Sequence, residues 1–172
     1  HLLASRLKDD ADDRSRHYLQ RIRAGVRQMG ELTDALLSLA HVSRTPLTWE
    51  SVDLAVLARD AVERLREGAT GAAVQVHIAD TLPVRGDPRL LRQVIENLLG
   101  NAFKFSARVP APAVRVGVEP GVPGAPAVYF VADNGAGIPP EQLEKIFTLF
   151  MSTKHSRGTG LGLPVSQKIM QE

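Results

Sequence analysis

Between residues 14 and 41 apolar side chains recur at three- and four-residue steps: Tyr18, Leu19, Ile22, Val26, Met29, Leu32, Leu36, Leu37 and Leu39. Charged residues fill the positions between them, as in RSRHYLQRIRAGVRQ, and this is the period of an amphipathic helix. No proline interrupts the pattern before Pro46, which marks its stop. The preceding HLLASRLKDDADD reads as the end of an earlier helix and an acidic turn, with Asp12 or Asp13 as N-cap. Two helices about a short turn make an antiparallel hairpin. A helix of this length with one apolar stripe must bury it, either against the rest of its own domain or against a second copy in a dimeric bundle. The continuity of the stripe favours the bundle.

After Pro46 the texture changes. VDLAVLARDAVERLRE at 52–67 predicts an amphipathic helix with Asp53 as N-cap, and AAVQVHIA at 72–79 alternates like a strand. DPRLLRQVIENLLGNAFKFS places Asp87 at an N-cap and Pro88 at the first helical position, and predicts a helix to about Phe105. The Gly/Pro-rich stretches VPAPA and PGVPGAP bracket a strand, AVRVGV, and AVYFVADN forms another. Helices and strands mix without βαβ repetition, so the expected fold is α+β, a two-layer sandwich with helices on one face of a mixed sheet.

Composition adds bounds. At 172 residues the chain suits one ordinary domain with or without a short appended element, and 44% apolar residues suffice for a real core. A net charge of +2 with dispersed arginines argues against a nucleic-acid groove. The absence of cysteine excludes disulfides and thiolate metal sites. No apolar run approaches the roughly 18 residues of a membrane span. The chain starts within one helical pattern and stops within another, so it reads as an excerpt of a longer protein whose membrane attachment is open.

Four stretches carry chemistry: Asn97 with Asn101, DNGAGI at 133–138, IFTLF at 146–150, and GTGLGL at 158–163. Asn97 and Asn101 lie on one helix face. GTGLGL runs directly into the helical PVSQKIMQE, and closely spaced glycines before a helix leave backbone N–H groups open to an anion. These elements converge on a nucleotide. Glycines supply donors for a triphosphate, and an Asn carbonyl suffices for Mg²⁺, which keeps several waters. Asp133 suits an adenine amine, Gly135 and Gly137 let the backbone approach the ring, and Lys104 reaches phosphate as a point charge.

In this order and spacing the set resembles the ATP-binding domain of sensor histidine kinases, in the superfamily shared with gyrase, Hsp90 and MutL. ENLLGNAFKFS resembles the family's N box, DNGAGI its G1 box, IFTLF its F box and GTGLGL its G2 box. The resemblance implies the two-layer ATP-binding fold over 52–172, a linker at 46–51, and a partial dimerisation hairpin over 1–45. It implies Asn101 as Mg²⁺ ligand, Asn97 and Lys104 at the phosphates, Asp133 at the adenine amine, and Phe105 and Ile138 as walls of the adenine. Gly158, Gly160 and Gly162 would form the hinge and phosphate cradle with Leu161 between them, and Thr159 either donates to a phosphate or caps the helix. MSTKHSR resembles a short mobile lid, in which Lys154 and Arg157 are either phosphate contacts or solvated charges.

The resemblance further implies a cytoplasmic protein-histidine kinase using ATP and Mg²⁺, with a homodimer partner through the hairpin and a response-regulator receiver domain as second partner. The alternative is a kinase-like nucleotide-binding module that signals without phosphotransfer. The superfamily's ATP hydrolases carry a Glu one turn before the metal Asn, to activate water. Asn97 stands there instead, and Glu96 beside it is rotated by about 100°. That suits ATP held for transfer.

HVSRTPL at 41–47 carries the letters of an acceptor-histidine signature, but its position argues against that role. A second bundle helix of about 20–30 residues would have to follow His41, yet PLTWESVDLAVLARDAVERL already resembles the opening of the ATP domain. Val42 and Ser43 also stand where an acidic partner is expected. His41 is therefore expected at the end of the second bundle helix, with the acceptor upstream of His1 and no autophosphorylation by this chain alone. His17 reads as a bundle-surface residue, His77 as a strand residue and His155 as a lid residue.

Overall fold

The computed structural model describes residues 14, 15, 17–23, 25, 26, 29, 30 and 33 of the first helical stretch, then 46–67, 74–122, 125–148 and 160–171. His1, His41, Phe150, Lys154, His155, Arg157, Gly158 and Thr159 fall outside these residues. The described positions between 14 and 33 are helical. Their apolar stripe is exposed: Tyr18, Ile22, Val26 and Met29 are each about half open to solvent or more.

Strand β1 (Glu50–Asp53) begins inside the segment read as linker and leads straight into helix α1 (Leu54–Glu67). The predicted helical start at residue 52 is thus corrected, because Val52 and Asp53 belong to the strand. One carboxylate oxygen makes the switch. Asp53 Oδ1 accepts the Ala55 N–H at 2.9 Å, capping α1, and the Leu82 N–H at 2.8 Å. Leu82, 1% exposed, is thereby held under the helix start. Its neighbours form β3 (Pro83–Gly86), which pairs antiparallel with β1 and was not anticipated.

Strand β2 (Gln75–Ile78) pairs parallel with β4 (Ala113–Glu119), which pairs antiparallel with β5 (Val128–Asp133). This three-stranded sheet in the order β2-β4-β5 is mixed, as predicted. Val76, Ile78, Val114, Val116 and Val131 face the helices at the strand period of two, while Gln75, His77 and Arg115 point to solvent. The side chain of Tyr129 ties the two sheets together by donating from its hydroxyl to the Pro83 carbonyl.

Helix α2 (Pro88–Ser106) is the central helix and packs on two sides. Leu91, Ile95, Leu99, Ala102 and Phe103 join α1 and the sheet in the main core. Val94, with Leu90 and Leu98, packs against Leu161, Val165 and Ile169 at helix α4 (Gly162–Gln171). A short turn of helix, α3 (Pro140–Leu143), lies between β5 and α4. Two buried stripes on α2 leave a third, at 97, 101, 104 and 105, for something else.

At its N-terminus α2 is capped as its sequence predicts. Asp87 accepts from Arg89 N–H at 2.9 Å and Leu90 N–H at 3.4 Å, and Pro88 occupies the first turn where no N–H is needed. Its second oxygen accepts the Thr48 N–H at 3.1 Å, fastening the incoming chain to the same helix end.

Candidate functional site

The third stripe of α2 carries Asn97, Asn101 and Lys104, all half-buried, and the exposed Phe105. Spacing of three and four residues brings them onto one face. The Lys104 Nζ lies over the Phe105 ring, 4.8 Å from its centroid, so cation and aromatic face are presented together at the end of the helix.

The turn after β5 meets that helix end. Asp133 is exposed, and its Oδ1 accepts the Gly135 N–H at 2.8 Å. Gly135 approaches the carbonyl of Phe105 so closely that a Cβ would stand 2.7 Å from that oxygen and 2.6 Å from Asp133 Oδ1. No larger residue fits without moving backbone. Gly137 has φ +70° and Gly160 has φ +68°, in the left-handed region that favours glycine. Ile138, nearly half exposed, follows on the same turn. The structure therefore brings Gly135, and with it the Asp133 carboxylate, to the Phe105 end of the α2 stripe, and Gly137 and Ile138 follow in the same turn.

At the other end of the stripe Asn97 meets the approach to α4. The Asn97 Nδ2 donates to the Gly162 carbonyl at 3.2 Å and to the buried Ser166 Oγ at 3.3 Å. Its amide hydrogens thus hold the first turn of α4 against α2, and Gly162 packs on the Asn97 side chain. Leu161, fully buried, anchors the approach to α4 in the second core. So Gly162 is brought to Asn97, and Leu161 and Gly160 directly precede it in the chain.

Glu96, the neighbour of Asn97, is turned to α1, where it pairs with Arg64 at 2.6 Å. The acid adjacent to the amide is on another face. Two polar residues had not been singled out. Ser166 answers Asn97 from 69 residues away, and Asn134 bonds with its side chain to Ala111 and Ala113. Asn134 was visible inside DNGAGI, but nothing local signals its partners.

Among the described residues no group of three His, Asp or Glu side chains is placed to hold a metal. The donor set still fits Mg²⁺ carried by a polyphosphate, since that ion takes one or two protein oxygens and fills the rest of its octahedron with phosphate and water. The half-buried Asn101 amide carries an oxygen of that kind. Among the described residues no helix is long and apolar enough to cross a membrane.

Comparison with known proteins gives a consistent result. Residues 86–172 match the family described as histidine kinase-, DNA gyrase B-, and HSP90-like ATPase. The methanogenesis regulatory histidine kinase FilI of Methanothrix harundinacea is 32% identical over 155 residues, covering 89% of this chain and 17% of that protein. The sensor histidine kinase AruS of Pseudomonas aeruginosa is 34% identical over 177 residues, covering 92% and 17%. Full-length ShkA in complex with AMPPNP aligns over 96% of this chain and 35% of its own, with TM-score 0.69 and 26% identity. The mycobacterial sensor histidine kinase MprB aligns over 72% of this chain and 79% of its own, with TM-score 0.59 and 29% identity. The chain spans about a sixth of the length of these curated relatives.

Proposed function

We infer the function of this chain from the family to which it belongs, the histidine kinase-, DNA gyrase B- and HSP90-like ATPases: it is the ATP-binding catalytic portion of a sensor histidine kinase. In the whole protein it binds ATP with Mg²⁺, transfers the γ-phosphate to a histidine of a dimerisation helix, and serves a response-regulator aspartate. The observation that carries this is the close approach of Gly135 to the Phe105 carbonyl. It brings the turn that carries Asp133 to the helix residue whose ring is exposed and lies under Lys104, with Asn101 one turn back along the helix.

Each residue then has a role. Asp133 accepts from the exocyclic amine of adenine, Phe105 and Ile138 cover the ring, and Lys104 pairs with phosphate oxygens. Asn101 offers its carbonyl oxygen to the metal. Held there, Mg²⁺ would neutralise charge on the phosphate oxygens and so favour transfer of the γ-phosphoryl group. Asn97 holds α4, and with it Gly160 and Gly162, at the phosphate end, while Gly158, Thr159 and Lys154 complete the cradle and lid. The amide of Asn97 cannot take a proton from water, and Glu96 pairs with Arg64, which supports transfer over hydrolysis. The exposed stripe of Tyr18, Ile22, Val26 and Met29 supports burial against a second copy, in a bundle ending near residue 45. The family context supports a cytoplasmic location for the domain.

Titration calorimetry with ATP, with and without Mg²⁺, tests the site. The wild-type chain binds ATP more tightly with the metal, and Asn101→Ala removes that gain, a loss of about tenfold. An ATP affinity indifferent both to Mg²⁺ and to Asn101→Ala overturns the assignment.

A further inference from the structure

Asn134 reaches back into the sheet from the turn that carries Asp133. Its Oδ1 accepts the Ala113 N–H at 2.8 Å, its Nδ2 donates to the Ala111 carbonyl at 2.7 Å, and its own backbone N–H donates to the Ala113 carbonyl at 3.2 Å. The β4–β5 ladder ends at the pair Val114↔Asp133, so these three bonds carry the pairing one residue past its end. A planar amide does this because it offers one donor and one acceptor, as a peptide group does. The last residues of a strand otherwise fray, and the residue held just inside the closure is Asp133.

Asp133 needs such help. It is exposed, and among the described residues its carboxylate takes only the local bond from Gly135, itself part of the turn. Asn134 ties that turn to β4 on one side, and the Gly135 approach to Phe105 ties it to α2 on the other. Two anchors on different elements fix the direction in which the carboxylate points.

We propose that Asn134 is a positioning residue for base selection: by locking the end of β5 it aims the Asp133 carboxylate, and so sets how strongly the site prefers a base with an exocyclic amine. This rests on the reading of Asp133 given above. A hydrogen bond discriminates only as far as its geometry is held, so loosening the turn weakens selectivity before it weakens contacts to the phosphates.

The test compares affinities of the whole chain for ATP and for the triphosphate of purine riboside, which lacks the amine, both with Mg²⁺. Wild type prefers ATP by about tenfold or more. Asn134→Ala loses most of that preference while its affinity for the amine-free analogue changes by no more than about twofold. Asn134→Asp, which keeps the acceptor for Ala113 but has no donor for Ala111, falls between. An Asn134→Ala protein that binds both nucleotides more weakly with the ratio intact overturns the proposal, since a purely structural asparagine would act on both alike. Asp133→Ala distinguishes the two failures: if it keeps the wild-type ratio, the reading of Asp133 fails and the proposal falls with it.

Discussion

Asp87 and Asp133 each follow or end a strand, and each accepts a backbone N–H from two residues ahead, at 2.9 and 2.8 Å. Their surroundings then diverge. Asp87 is buried, and both oxygens are occupied by Thr48, Arg89 and Leu90 N–H groups and by the Arg89 guanidinium at 2.9 Å. Asp133 is exposed, and among the described residues only its Oδ1 takes a bond. The flanking residues explain the split. Pro88 continues Asp87 into a helix whose orphan N–H groups fill it, whereas Asn134 and Gly135 keep Asp133 out of a helix. A saturated carboxylate holds a fold together; one with an open oxygen can recognise a ligand.

Breaking the saturated member has the largest effect. Asp87→Ala removes the cap of α2 and leaves the Thr48 N–H without its acceptor, so unfolding in urea shows a loss of roughly 2–4 kcal/mol. The nucleotide affinity of the folded fraction is unchanged. The same site predicts acid sensitivity. The Arg89 guanidinium holds the Asp87 carboxyl far below the usual carboxylate range, against the opposing effect of burial and with help from the Thr48, Arg89 and Leu90 N–H groups. A carboxylate depressed in the folded state stabilises above its unfolded pKa of about 3.9 and loses that contribution as pH falls below it. Unfolding followed from pH 5 to pH 2 shows this decline in wild type, and a shallower one in Asp87→Ala.

Breaking the open member reverses the pattern. Asp133→Ala removes a charge-assisted bond to the base and lowers ATP affinity roughly 10- to 100-fold. Calorimetry reads that loss, while the melting temperature moves little because Asp133 supports only one local turn. An Asp133→Ala chain that loses stability as Asp87→Ala does would erase the distinction between the two.

The two aspartates were not equally legible in sequence. Asp87-Pro88 before an apolar helical run is a local signal of a helix start, and it needs nothing from afar. The DNGAGI turn is likewise local, and so are the two core stripes of α2, which follow the helical period. What escaped depends on distant partners. β1 and β3 are four residues each, too short to alternate clearly, and are defined by their pairing and by the bond from Leu82 to Asp53, 29 residues away. The helical period of α1 appeared to run back to Val52 because the last two residues of a four-residue strand leave no contrary period. Asn97 read as a phosphate contact, yet its amide hydrogens go to Gly162 and Ser166, 65 and 69 residues further on. Single polar residues have no period, so their partners emerge only from the fold.

Glu96 gives the smallest expected effect. It is the only carboxylate on α2, and it adjoins Asn97 in the chain, so it is the natural suspect for a hidden base. Its geometry places it with the fold-holding carboxylates: it pairs with Arg64 on the α1 side, with both side chains about half exposed. An exposed pair of this kind contributes about 0–1 kcal/mol and is screened by salt. Glu96→Gln keeps the shape and can still accept a hydrogen bond from Arg64, so stability changes by less than about 0.5 kcal/mol. If Glu96 were a general base, its removal would instead lower ATP turnover by the whole kinase, acceptor histidine included, by about 10²–10⁴-fold. Turnover of Glu96→Gln within twofold of wild type keeps it with the structural acids, and a loss of that larger size would move it beside Asp133.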